Sequence, residues 1–190
     1  MVVDLSKATR KTRTVSYRID SEILEDIAKE SKLRETSSNV LINQILRKFT
    51  DFDKYQHRVG MIPFPKEVLT SILETVNDEQ IKILAQQAFR FLIETVILTQ
   101  KQQDLAAILH LLKEYVKVSG IASDHIIKGG KDVMVVQHDM GEKCSMFAKE
   151  LLSLIFEKFV IARPDFEVTD SSVIVTLELP EKVRSHLNES

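Results

Sequence analysis

Thr14-Val15-Ser16-Tyr17-Arg18-Ile19-Asp20-Ser21-Glu22 is the stretch on which the fold turns. In its first six residues Val15, Tyr17 and Ile19 alternate with Thr14, Ser16 and Arg18, the period of a β-strand. The alternation stops at Asp20, a good N-cap, and Ser21 and Glu22 suit the first turn of a helix. Ile23, Leu24, Ile27 and Ala28 then recur at helical spacing, giving one apolar stripe. A second start signal stands at Thr36-Ser37-Ser38-Asn39, with Ser37 as the expected cap. Behind it Leu41, Ile42, Ile45, Leu46 and Phe49 form another stripe.

One strand followed by two short helices poses a physical problem, because the strand has no partner in its own segment and open strand edges must be paired or protected. A segment of this length also buries too little to fold by itself. A twofold partner answers both needs: two copies of the strand pair antiparallel, and four helices share one core. The polar faces of the two strands then form an exposed ribbon, one of the few protein elements that fit the major groove of B-DNA.

The strand Thr14 to Ile19, the helix capped at Asp20 and the run Ser-x-Asn-x-Leu-Ile-Asn-x-Ile-Leu from Ser37 to Leu46 resemble the ribbon-helix-helix family of MetJ, Arc and CopG-like transcriptional regulators. The resemblance covers about 40 of the 190 residues. It implies an obligate dimer in which Thr14, Ser16 and Arg18 contact bases. It also implies that the start of the second helix, at Ser37, Ser38 and Asn39, meets a DNA phosphate. Lys11 and Arg13, just before the strand, are expected to meet phosphates as well. The turn Leu33-Arg34-Glu35-Thr36 lacks the glycine that members commonly have there, and a non-glycine C-cap costs helix-end stability. Of the outward triad only Arg18 carries a fork that can take guanine bidentately, so DNA shape and the basic arm are expected to share in recognition. The same face also suits a solvated dimerisation ribbon.

Charge is divided along the chain. Residues 1–58 carry 12 Lys and Arg against 9 Asp and Glu, while the remainder carries 14 against 19, which gives the net −2. Within the first 18 residues Lys7, Arg10, Lys11, Arg13 and Arg18 face only Asp4, a basic arm suited to a polyanion. Hydrophobic residues make up 44% and charged residues 28%, which argues for a folded rather than a disordered chain. The single cysteine, Cys144, excludes an intramolecular disulfide and fits a reducing, cytoplasmic setting. The apolar runs are too short to span a bilayer, so no membrane association is expected.

The segment around Gly60 and Pro63-Phe64-Pro65 marks the expected boundary between an N-terminal domain, residues 1–58, and a C-terminal one, residues 59–190. Periodicity and caps place helices at Lys66 to Val76, Asp78 to Thr99 and Gln102 to Val118. The period then changes. Ile121 to Lys128 and Lys131 to His138 flank Gly129-Gly130, a hairpin turn. A helix from Gly141 to Phe159 follows, and Phe166 to Thr169 and Ser172 to Leu179 form a second hairpin. Val173, Val175, Leu177 and Leu179 share one face. The expected class is α+β: a ribbon-helix-helix, a helical segment and a β-β-α-β-β unit with one sheet face covered.

No enzyme signature is present, and no cofactor is expected. Reactive residue types gather only at His138, Asp139 and Cys144, with Asp124 and His125 on the adjacent strand. None has a dedicated metal-ligand spacing, so Asp139 reads as a helix cap and Cys144 as a small buried hydrophobe. Phe89, Phe91 and Phe147 to Phe159 supply core or line a ligand pocket. The expected partners are double-stranded DNA, a second copy of the chain or a higher homo-oligomer, and an effector or protein at the C-terminal domain. The competing reading is an antitoxin-like or adaptor module that uses the fold only to dimerise.

Overall fold

A computed structural model describes residues 12–56, 59–101, 103–159 and 163–188. Seven helices longer than one turn and one four-stranded antiparallel sheet are present among them. The chain divides into two compact units, residues 1–47 and 48–190.

In the first unit α1 runs Ser21–Leu33 and α2 starts at Ser38, running Ser38–Lys48. Asp20 caps α1 as expected, its Oδ1 accepting from the Glu22 amide at 3.0 Å. The strand expected at Thr14 to Ile19 does not form within the chain: residues 12–20 are neither helix nor strand. All four strands of the sheet come from residues 122–177, and residues 14–19 pair with none of them.

The second unit opens with a π-helical turn, Phe49–Asp53, and a short turn, Lys54–Gln56. The wider turn accompanies a buried Phe52, whose ring lies 6.4 Å from that of Tyr115. Helices α3 (Lys66–Thr75), α4 (Asp78–Gln100) and α5 (Leu105–Val118) follow. Asn77 and Gln80 form a reciprocal capping box on α4, which satisfies two otherwise orphaned amides. The expected start of α5 at Gln102 moves to Leu105, because Asp104 accepts from the Ala107 amide and fixes the first turn there.

Strands β1 (Ala122–Lys128) and β2 (Lys131–Gln137) form the first hairpin. Gly129 and Gly130 both have positive φ, 60° and 81°, as a two-residue turn with the twist of its strands requires. Helix α6 (Gly141–Phe159), then β3 (Asp165–Val168) and β4 (Ser172–Leu177), complete the expected β-β-α-β-β order, and the strands line up β1-β2-β4-β3. A last helix, α7 (Glu181–Asn188), was not expected.

Val173, Val175, Leu177 and Leu179 are all buried, as their alternation requires. Val175, Leu177 and Leu179 meet Ala85, Leu92 and Val96 of α4, Ile108 and Leu111 of α5, and Leu151, Ile155 and Phe156 of α6 in one core. Phe89, Phe147 and Phe159 pack against it, so these phenylalanines build core. Burial of about a dozen such side chains, each contributing roughly 1.5–3 kcal/mol, makes this the stable part of the chain.

Candidate nucleic-acid interface

The residues assigned to DNA lie in the first unit, and its defining feature is what it leaves uncovered. Val15, Tyr17 and Ile19 are 62%, 73% and 40% exposed. Ile23 and Leu24 of α1 and Ile45 and Leu46 of α2 are exposed too, and Leu41 is the sole buried apolar residue among the described residues of this unit. Each stripe read from the sequence is therefore only partly covered: Ile27, Ala28 and Ile42 are half-buried and Leu41 is buried, while Ile23, Leu24, Ile45 and Leu46 stay exposed. Thr14, Ser16 and Arg18 are exposed, as is Arg13, while Lys11 lies outside the described residues.

The turn between the helices is built without glycine. Thr36 N–H donates to the Ser31 carbonyl at 2.9 Å and Glu35 N–H to that of Lys32 at 3.1 Å, the crossed pair of a Schellman motif. Glu35 occupies its left-handed position with φ 50°. Ser31 Oγ–H donates to the Ala28 carbonyl at 3.0 Å, so in its 3.2 Å contact with Ser38 Oγ it acts as acceptor. The hydroxyl proton of Ser38 is thereby turned inward, toward α1.

Ser37 is the cap of α2: its Oγ accepts from the Val40 amide at 3.2 Å and its carbonyl from the Leu41 amide at 3.0 Å. The amides of Ser38 and Asn39 precede any intrahelical acceptor and lie at the positive end of the helix. Asn39 accepts from Asn43 Nδ2 through its carbonyl at 2.8 Å. Two backbone donors, and the Ser37 hydroxyl, are thus the groups suited to an anion. The ion pair Lys29–Asp26 lies within α1, and Arg34–Glu30 joins its C-cap residue to its last turn.

The second cluster singled out in the sequence is arranged for structure. His138 Nδ1 accepts from the Met140 amide at 3.2 Å, which places the ring proton on Nε2, facing Ser145 Oγ at 2.9 Å. Burial pushes the His138 pKa down, favouring the neutral ring. A ring that donates to the serine cannot take its proton, so His138 and Ser145 are not a nucleophile and its base. Asp139 pairs with Lys66 rather than turning toward His138. Cys144 Sγ lies 4.0 Å from Met140 Sδ, and burial pushes its thiol pKa up, away from the reactive thiolate. Among the described residues no group of three or more His, Cys, Asp or Glu is placed to hold a metal ion.

Sequence reasoning missed a buried carboxylate. Asp132 is fully buried; it accepts from Arg184 Nη2 at 2.7 Å and Nε at 3.0 Å, and from the Leu179 amide at 2.9 Å. His125 Nε2 lies 3.0 Å from its Oδ1, so His125 is held at the sheet and not beside Asp124 as a ligand. The signal was present: Asp132 shares the period-2 face of Met134 and Val136, where a charge demands a partner.

No family model, curated protein or solved structure matches the chain. Among the described residues no helix is long and apolar enough to cross a membrane.

Proposed function

We propose that this chain is a sequence-specific DNA-binding transcriptional regulator that acts as a homodimer, pairing residues 14–19 of two copies into a ribbon that enters the major groove. The observation that carries the reading is the exposure of Val15, Tyr17, Ile19, Ile23, Leu24, Ile45 and Leu46 in a unit with one buried apolar side chain. A segment so poor in core is not stable alone, and a second copy supplies both the missing strand and the missing cover. In that arrangement Thr14, Ser16 and Arg18 turn to the bases. Arg13, Ser37 and the amides of Ser38 and Asn39 turn to phosphates, while Ser38 contributes through its backbone because its hydroxyl is engaged by Ser31.

Fluorescence anisotropy against random duplex DNA, and against sites selected from a random pool, tests the reading. Affinity should fall steeply with salt as phosphate contacts release counterions. Arg18→Ala should weaken a selected site by about 1–3 kcal/mol and relax its specificity, whereas Ser37→Ala should weaken all sequences alike. Salt-independent or absent binding sinks the reading and supports the dimerising interaction module instead.

A further inference from the structure

Helix α3 carries apolar surface that its own unit leaves open. One side of it packs on α6, where Leu73 is buried and Lys66 holds Asp139. On the solvent side Val68, Leu69 and Ile72 are 46%, 38% and 47% exposed, and the approach to the helix adds Ile62 at 77% and Phe64 at 51%. Val68 and Ile72 stand one turn apart, with Ser71 and Thr75 beside them on the same arc. Neither hydroxyl needs water for its proton, because Ser71 Oγ donates to the Glu67 carbonyl at 3.0 Å and Thr75 Oγ1 to that of Ile72 at 2.7 Å. The arc Val68, Ser71, Ile72, Thr75 therefore holds no charge and no unspent hydroxyl donor, unlike an ordinary solvated helix face.

We infer that this face of α3, with Ile62 and Phe64, is a second self-association surface covered by the same face of another copy. Its charge disfavours an anionic occupant, and its area fits a second copy. Glu67 and Glu74 flank the stripe and the lysine of the helix is engaged by Asp139, so a nucleic acid or an anionic lipid surface meets repulsion there. The five side chains present on the order of 400 Å² of apolar surface, as large as the biggest patch on a typical monomer. A twofold contact covers that patch on both copies and, with its rim, comes to roughly 1,000 Å², the threshold of a specific interface. The inference adds to the ribbon dimer proposed above without depending on it.

Sedimentation equilibrium of four full-length proteins separates the two surfaces: wild type, Val15→Asp with Tyr17→Asp, Val68→Glu with Ile72→Glu, and all four changes together. The protein altered at the ribbon should still self-associate, and adding the α3 changes should lower its association constant at least tenfold. The α3 surface is refuted if the ribbon variant is monomeric, or if the combined variant associates as the ribbon variant does. A monomeric α3 variant would instead refute the ribbon and leave α3 standing, whereas a monomeric wild type refutes both. A second route leaves the patch apolar: Ile72→Cys in a Cys144→Ser background should form a disulfide-linked dimer on mild oxidation, and failure to cross-link overturns the twofold contact near Ile72.

Discussion

Asp132 shows how one residue ties distant parts of the chain together. Arg184 comes from α7 and His125 from β1, and the Leu179 amide follows β4, so the last helix docks by completing the acceptor capacity of a buried carboxylate. Burial pushes the Asp132 carboxyl up, but the hydrogen bonds from Arg184, Leu179 and His125 outweigh it and hold the pKa below the ordinary aspartate range. The stabilisation is then present in full above about pH 3.9 and is lost as pH falls through the lower folded-state value. Asp132→Asn should cost about 1–3 kcal/mol at pH 7, measured by urea unfolding, and its gap from wild type should narrow below pH 4. Glu35 is the converse case, a residue at odds with its backbone. Its left-handed φ costs a side-chain-bearing residue roughly 1 kcal/mol, so Glu35→Gly should raise the unfolding midpoint of the first unit. A lower midpoint would mean that the glutamate side chain contributes more than its backbone costs.

Among the elements, those set by neighbouring residues were legible. The caps at Asp20 and Ser37, the Gly129-Gly130 turn and the alternation of β4 all lie where local chemistry places them. Asp104 was missed, since the reading began the helix at Gln102, although Asp before Leu-Ala-Ala is an N-cap signal. Asp104→Ala should cost about 1 kcal/mol, seen as a lower midpoint of the second unit with its circular dichroism intact. The π turn at Phe49–Asp53 was not legible, because its extra residue per turn is set by seating Phe52 near Tyr115, a contact distant in sequence. Helix α7 escaped because it is short and carries few apolar residues; what holds it is the ion pair at Asp132 together with Val183, which packs against the core.

For the whole molecule, the two units differ in how they bury surface. Residues 48–190 enclose a core that draws on α4, α5, α6 and β4, whereas the first unit leaves much of its apolar stripes exposed. Hydrogen exchange should expose that difference: if the ribbon forms between copies, amides 14–19 become protected as protein concentration rises, while those of 172–177 stay protected at any concentration. Concentration-independent exchange at 14–19 would remove the ribbon. The sequence by itself determined the α+β class, the order of the C-terminal elements as far as β4 and the face of β4 that is buried, because caps, turns and periodicity act over a few residues. Tertiary structure alone decided that Asp132 meets Arg184, that His138 faces Ser145, and that α3 keeps an uncharged face toward solvent. Those outcomes depend on which distant side chains arrive beside one another, and no local pattern encodes that arrival.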